Sequence, residues 1–428
     1  MDKVNIAVFP AGTEIGLEIN NALKYVKDIN LIGISGSVDH SHYVYSETII
    51  GAPFIGYDGL FDFLSEVISK KKIDFIIPAH DDACVFLTEH EDSLGVKVVS
   101  SGAEAARICR YKSVTYKTLA PCDFLPFVFS GQSIDSIPFP IFIKPDRGQG
   151  AKGARVICSK EELAQVENLQ SYILCENLSG KEFTVDCISD AESNLLYSGV
   201  RQRERIKSGI SVSSSNMAHR DDIAAMAKYI SKKIGLKGAW FFQLKEDKDG
   251  QLKLMEVACR IAGTMGMYRN RGINFPLASL YIARGFDVQL INNNFDLKVD
   301  RALISRYTSN INFSRAYIDF DDTIITGKNI NADMMRFIYQ CVNKGISLYL
   351  ITRHIGDIDG SLEKYQIHSG LFKEVIHLQQ GEKKSRHINP DSSIFIDDSF
   401  AERKDVAESL GIPVFDIDAL EMLIDWRS

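Results

Sequence analysis

Residues 243–264 read QLKEDKDGQLKLMEVACRIAGT, and the first three quarters of the chain is organised around them. Two apolar-rich runs, residues 239–244 and 252–257, flank a polar turn at 246–250, which is the pattern of a β-hairpin. In such a hairpin Gln243 on the first strand faces Glu256 on the second. Oxygen ligands from neighbouring strands suit Mg²⁺, which binds few protein groups and keeps substrate phosphates as its other ligands. Arg260 follows shortly after Glu256 and offers a fork-shaped cation to any phosphate held there. An ordinary hairpin with a solvated acid accounts for the same residues, so the decision comes from the rest of the chain.

Upstream, residues 4–9, 31–34 and 73–77 are short apolar runs, and residues 15–26, 60–68 and 83–89 have helical spacing. That alternation predicts βαβ units on a parallel sheet. The first turn, PAGTEIG, lacks the full G-x-G-x-x-G fingerprint and a ribose-binding acid further on, so no nicotinamide site is expected. Gly12 and Gly16 instead allow tight packing of a helix on a strand. Asp81 and Asp82 open the third helix, where they either complement its positive N-terminus or touch a substrate.

Residues 103–119 read as two helices, the second carrying Lys112 and Lys117. Next comes PIFIKPDRGQGAKGARVI, residues 140–157, a strand ending near Lys144, a glycine-rich loop with Gly148, Gly150 and Gly153, and a second strand. Glycines let backbone N–H groups wrap phosphate oxygens while lysine supplies a point charge; a plain flexible turn is the alternative. In YILCENLSGKEFTVDCI, residues 172–188, Glu176, Asn177 and Leu178 can offer groups to an adenine edge, and Glu182 can accept from ribose hydroxyls. Arg201, Arg203, Arg205 and Lys207 recur at period two, hence on one face of a strand, as either a wall for an anionic substrate or a solvated edge. Residues 219–235 form a helix with the apolar stripe Ile223, Met226, Ile230 and Ile234.

Composition narrows the class. At 428 residues the chain holds several domains. A net charge of −7 argues against a nucleic-acid partner. No apolar run approaches the roughly 20 residues of a membrane helix, and the N-terminus has no signal-peptide pattern. The eight cysteines include no C-x-x-C pair. Cys84, Cys158, Cys187 and Cys341 lie in apolar runs and read as buried thiols of a reducing compartment, which makes the cytoplasm the expected location.

Taken in order, these features resemble the ATP-grasp superfamily, and most closely its carbamoyl-phosphate-synthase-like branch, over roughly residues 1–308. The resemblance implies a Rossmann-like pre-ATP-grasp domain (residues 1–105), a small lobe with the glycine-rich loop (106–175) and a large lobe (176–312). It further implies that Lys112, Lys144 and the loop with Gly148, Gly150 and Gly153 contact ATP phosphates. Glu176, Asn177 and Leu178 would form the adenine hinge and Glu182 would hold the ribose. Gln243 and Glu256 would bind Mg²⁺, and Arg260 would stabilise the transferred phosphoryl group. The family often carries E-x-N-x-R, and this chain has Ala258 where the Asn would stand. Such enzymes activate a carboxylate as an acylphosphate for attack by an amine or similar nucleophile.

The last quarter carries a second set. AYIDFDDTI, residues 316–324, is an apolar strand followed by Asp319 and Asp321, with Thr323 beyond. Positions i and i+2 of a continuing strand place both carboxylates on one side. SLYLITR ends a strand at Thr352, GEKKS places Lys383 and Lys384 at a helix start, and SIFIDDS ends a strand at Asp397 and Asp398. Strand ends carrying polar groups mark the active edge of a parallel sheet, and so many clustered acids call for a cation such as Mg²⁺. The set resembles the haloacid-dehalogenase-like (HAD) phosphohydrolases over residues 313–428, a three-layer α/β/α fold, here without room for a sizeable cap. The resemblance implies Asp319 as nucleophile, Asp321 as general acid/base, and Thr352 and Lys384 (or Lys383) on the phosphoryl group. Asp319, Asp321, Asp397 and Asp398 form the candidate Mg²⁺ set.

The expectation is an α/β and α+β multidomain enzyme with two activities, an ATP- and Mg²⁺-dependent ligase and a Mg²⁺ phosphatase. Its partners would be a small-molecule carboxylate, a nucleophile and a phosphate ester; oligomeric state is left open. The alternative is a phosphatase whose ATP-grasp portion senses a nucleotide or delivers substrate without catalysis.

Overall fold

The computed structural model describes residues 3–148 and 150–427, so within the glycine-rich loop Gln149 lies outside the described residues. The chain divides into two compact units, Met1–Leu303 and Ile304–Ser428.

The first unit opens on a five-stranded parallel sheet. From one edge to the other its strands are Glu47–Ile50, Ile29–Ser35, Val4–Phe9, Phe75–Pro78 and Lys97–Val98. The central strand is apolar throughout because both of its faces are covered. Ile6 and Val8 point into one core cluster, while Ala7 and Phe9 point into another. Gly16 is required by close packing: a Cβ there would lie 2.3 Å from the Ala11 carbonyl oxygen. The helix Glu14–Leu23 therefore sits directly on the preceding turn, with Thr13 Oγ1 capping it by accepting from the Gly16 N–H at 3.0 Å. Gly12 serves a different contact, since its Cβ would meet the Asp39 carboxylate at 2.0 Å.

A small three-stranded antiparallel sheet follows, with Ile141–Pro145 between Arg155–Ile157 and Tyr172–Glu176. The largest sheet has six strands in the order Leu252–Ala258, Gly238–Glu246, Glu182–Ser189, Leu195–Lys207, Ile210–Asn216 and Lys298–Asp300. Its faces are sorted by alternation along Gly238–Glu246. Trp240, Phe242 and Leu244 join a core with Ile223, Ala227, Ile230 and Ile234 of the helix Asp221–Ile234. Ala239 and Phe241 enter the cluster that also holds Ile6 and Val8 of the parallel sheet. Each such large side chain contributes roughly 1.5–3 kcal/mol by burial, so a continuous apolar seam joins this sheet to the first.

The period-two reading of Arg201 to Lys207 fails midway. The strand shifts register between Arg203 and Arg205 and again before Ile206, and a bulge re-aims every following side chain. Arg201 and Arg203 are buried, at 2% and 9% exposure, while Arg205 and Lys207 face solvent.

The second unit is built on another five-stranded parallel sheet, ordered Glu374–His377, Ser347–Thr352, Arg315–Ile318, Ser393–Ile396, Val414–Phe415. Ala316 and Ile318 face one core and Tyr317 the other. The helix Ala332–Asn343, capped by the Asn331 side chain, lays Met334, Phe337, Ile338 and Cys341 on the first of these cores.

Of the cysteines read as buried, Cys84, Cys187 and Cys341 are buried, whereas Cys158 is exposed, and all are free thiols. Cys158 stands just past the end of Arg155–Ile157, where the apolar run leaves the sheet. Among the described residues no helix is long and apolar enough to cross a membrane.

Candidate functional sites

The predicted hairpin is present, and Gln243 pairs directly with Glu256 across Gly238–Glu246 and Leu252–Ala258. A cavity of about 330 Å³ opens beside this pair. Its wall brings together Lys112, Gly148, Gly150, Gln243, Glu256 and Arg260. Lys112 is the first residue of the helix Lys112–Leu119; burial lowers its pKa, with Glu256 pulling the other way. Gly150 has φ +61° and touches the turn at Ser208 and Gly209, where a Gly209 Cβ would lie 2.3 Å from the Gly150 carbonyl carbon. The glycine-rich loop thus rests on the tip of the hairpin formed by Leu195–Lys207 and Ile210–Asn216.

Other predicted residues stand off the cavity wall. Lys144 is buried, donates to Tyr116 Oη at 2.6 Å and to the Met255 carbonyl at 3.1 Å, and has its pKa lowered by burial. It therefore sits behind the backbone next to Glu256. Glu176 accepts from the Phe127 N–H at 2.8 Å, so its carboxylate serves the local backbone. Asn177 and Leu178 follow it in the connection to Glu182–Ser189, and Gly153 packs against Pro145 and Tyr172. Glu182 is ion-paired with Arg203, which takes the acceptor expected for a ribose.

Arg260 lies on the wall with its fork filled. Nε and Nη2 each donate to Asp81 at 2.7 Å, and the guanidinium lies 5.2 Å from the Phe241 ring centroid. Asp82 receives Arg110 at 2.8 Å and Arg147 at 2.5 Å. Burial opposes its ionisation, yet the two arginines hold its pKa down to about 2. Arg110 also donates to the Gly148 carbonyl at 3.2 Å. Neither acid is therefore only a helix-dipole partner: one holds Arg260 and the other, through Arg110, is tied to the glycine loop. These contacts join residues 28 to 179 positions apart and leave no local signal. Also on the wall, Arg201 is paired with Asp186 at 2.8 Å, and Arg203 donates to Gln243 Oε1 at 2.8 Å.

The Glu256 carboxylate fits a Mg²⁺ that takes its remaining ligands from phosphates and water, whereas the Gln243 amide oxygen already accepts from Arg203 and must share or release that contact to serve as a ligand. With Ala258 on the wall, that position adds no further side-chain ligand.

In the second unit the functional groups gather at the C-terminal ends of neighbouring parallel strands. Asp319 follows Arg315–Ile318, Thr352 closes Ser347–Thr352, and Asp397 and Asp398 follow Ser393–Ile396. Lys384, at the start of the one-turn helix Lys384–His387, donates to Asp319 at 2.5 Å and to Asp397 at 2.7 Å. Oxygens of Asp319, Asp397 and Asp398 all lie within 4.8 Å of one another, and an all-oxygen set of this size fits Mg²⁺. Burial pushes the Asp319 carboxyl up to about 7 despite Lys384 beside it. Asp397 is raised too, by burial first. For Lys384, burial lowers the pKa but the two carboxylates outweigh it, and the net shift is upward. Lys383 is paired with Asp405 at the surface, so Lys384 is the lysine at the site.

Asp321 departs from expectation. The strand ends at Ile318, and Ile324 and Ile325 both donate back to the Phe320 carbonyl at 3.0 Å, so the i, i+2 alternation no longer applies. Asp319 is buried while the Asp321 side chain is 52% exposed and outside the three-carboxylate cluster. Its carboxylate meets His354 Nδ1 at 2.9 Å, and His354 Nε2 meets Ser361 Oγ at 2.8 Å. Sequence reading missed His354, Ser361 and Arg403, whose Nη1 donates to the carbonyls of Asp397 and Asp398 at 2.6 Å. His354 stands only two residues past Thr352, a nearness that could have drawn notice.

Residues 168–302 match the family model described as ATP-grasp in the biosynthetic pathway with Ter operon. None of the curated proteins matches the sequence. The structure is similar to a biotin carboxylase from Campylobacter jejuni at 16% identity and TM-score 0.57, covering 68% of this chain and 73% of that one. It is similar to an L-amino acid ligase from Bacillus licheniformis at 16% identity and TM-score 0.55, covering 66% and 75%. The biotin carboxylase domain of a Hydrogenobacter thermophilus 2-oxoglutarate carboxylase, solved with MgADP, ADP and bicarbonate, aligns at 15% identity and TM-score 0.58, covering 68% and 72%. At these identities the likeness establishes a shared fold, and the match over residues 168–302 is what ties it to an ATP-grasp family model.

Proposed function

We propose that the chain is a bifunctional enzyme, an ATP-dependent ligase joined to a phosphatase. The ligase reading is carried by one observation: within an ATP-grasp fold, Lys112, the glycine loop, Glu256 and Arg260 converge on one cavity. ATP would lie with its phosphates under Gly148 and Gly150, where loop N–H groups and Lys112 offset their charge. A carboxylate oxygen of the substrate would attack the γ-phosphorus as ADP leaves; an amine or similar nucleophile would then attack the acyl carbon and expel phosphate. Mg²⁺ held by Glu256 and Gln243 would neutralise phosphate charge. Arg260 would stabilise the transferred group, and for that it must share or exchange its hold on Asp81. A screen of carboxylates against amines, read by ADP release, tests this. Turnover should appear for a matched pair and vanish in Glu256→Gln; undiminished turnover in that variant defeats the assignment.

The phosphatase reading is supported by Asp319, Lys384 and the neighbouring aspartates at the strand ends. Asp319 would attack phosphorus to give an aspartyl-phosphate while Asp321 donates a proton to the leaving oxygen. Asp321 would then take a proton from the water that releases phosphate. Thr352 and Lys384 would hold the phosphoryl oxygens, and Mg²⁺ at Asp319, Asp397 and Asp398 would supply charge neutralisation. Hydrolysis of p-nitrophenyl phosphate should fall at least a thousandfold in Asp319→Asn, and equal rates would exclude the nucleophile.

A second reading, a nucleotide-sensing first unit without turnover, is favoured by the filled fork of Arg260 and by Ala258. Calorimetric ATP binding with no ADP release across the screen supports it.

A further inference from the structure

The cavity wall carries two arginines, Arg201 and Arg301, that the ligase reading above does not assign a role. Arg201 is buried there, with 3% of its side chain exposed. Asp186 accepts from its Nε at 2.8 Å and Nη2 at 3.3 Å, but Nη1 is buried with no hydrogen-bond partner. Arg301 stands on the same wall, and its Nη2 would lie 3.3 Å from a Cβ at Gly263, three residues past Arg260. Its own contact is a long bond of 3.4 Å from Nη1 to the Ser211 carbonyl. Glu14, the acid that acts most strongly on it, is exposed and makes no ion pair with it among the described residues. Burial, ahead of the acids around it, lowers the Arg301 pKa. An unpartnered guanidinium N–H in a buried wall is costly unless a ligand oxygen completes it.

Resting on the ligase reading above, we propose that Arg201 and Arg301 form an anion subsite and that the acid substrate is a dianion. One carboxylate is activated beside Glu256 and Arg260, and a second anionic group, carboxylate or phosphate, docks on Arg201 Nη1 and Arg301. Guanidinium forks match both oxyanions. Gly263 gives the group room, because any side chain there would meet Arg301 and Glu14.

Calorimetry on the full chain without nucleotide tests the subsite, with succinate, glutarate and 2-phosphoglycolate as dianions and butyrate as the control. At least one dianion should bind tenfold or more tighter than butyrate, and the stronger arm identifies the second group as carboxylate or phosphate. Arg301→Gln should bring that preference below threefold at an unchanged melting temperature, while Arg301→Lys should keep part of it. Equal binding of dianions and butyrate, or a full preference in Arg301→Gln, overturns the proposal. ADP release with the same acids separates the two readings. Release with butyrate as fast as with the dianions removes the subsite and keeps the ligase. A dianion preference with no release for any acid keeps the subsite and removes the ligase.

Discussion

The two sites solve opposite electrostatic problems. In the first unit four arginines of the cavity wall each have their own acid, Arg260 with Asp81, Arg110 with Asp82, Arg201 with Asp186 and Arg203 with Glu182, while Lys112 and Arg301 form no ion pair among the described residues. In the second unit one lysine, Lys384, stands among Asp319, Asp397 and Asp398. The paired arginines of the first wall are fixed before any ligand arrives, and the charge left over is positive, on Lys112 and Arg301. The second carries surplus negative charge, and a proton or a divalent cation relieves it; Asp319 accordingly has a pKa pushed to about 7, by burial above all. One site is prepared by pairing and the other by its lack of pairing.

The contrast breaks most visibly where a pair is removed. Asp186 is fully buried and its partner Arg201 nearly so. Asp186→Ala leaves an uncompensated guanidinium and should destabilise the first unit by about 3–5 kcal/mol, measured by denaturant unfolding. A loss below about 1 kcal/mol would show that water reaches Arg201 and that its pairing is not structural. In the second unit the same logic runs the other way, and adding a cation should stabilise. Mg²⁺ at a hundredfold excess over its Kd should contribute about 2.7 kcal/mol, visible as a raised melting temperature of the full chain. Asp398→Asn should shift the required Mg²⁺ concentration upward, and an unchanged dose response would remove Asp398 from the ligand set.

What the sequence revealed of this contrast follows from how local each signal is. The acids at the strand ends were readable because apolar runs such as SIFI stop abruptly at Asp397, and a strand end fixes position in a parallel sheet. The hairpin was readable because its two runs and its turn are contiguous, and Gln243 does pair with Glu256. Pairings over long separation were not readable: Arg260 with Asp81 spans 179 positions, and His354 with Asp321 spans 33. The bulge beside Arg205 was invisible for another reason. Period two assumes unbroken pairing, and a one-residue slip reverses every later side chain. Asp321 was misplaced by the same assumption, carried past the true strand end at Ile318.

His354 sharpens the comparison inside the second unit, because beside the three-carboxylate cluster it holds an acid, Asp321, that lies outside that cluster. Between Asp321 at 2.9 Å and Ser361 at 2.8 Å, the imidazole holds the carboxylate proposed above as the acid/base. His354→Ala should lower kcat for p-nitrophenyl phosphate about tenfold, a fraction of what general acid–base catalysis supplies, with KM little changed. His354→Asn, which keeps a donor near the Nδ1 position, should recover most of the rate. If alanine and asparagine behave alike, the contact does not position Asp321.

The smallest effect tests whether pairing alone, without burial, accounts for the first site. Arg205 and Asp300 form an ion pair at 2.8 Å, as short as that of Arg201 and Asp186. The two arginines lie on one strand and differ by which side of the bulge they occupy. The outer pair is 62% and 55% exposed, so water screens its attraction and fixing two long side chains offsets most of the gain. Arg205→Ala should therefore cost only about 0.2–1 kcal/mol, less at high salt, against several for the inner pair. A cost equal to that of Asp186→Ala would mean that the length of the contact, and not its dehydration, sets its worth. The division of this strand into a buried cavity wall and a solvated edge would then lose its energetic basis.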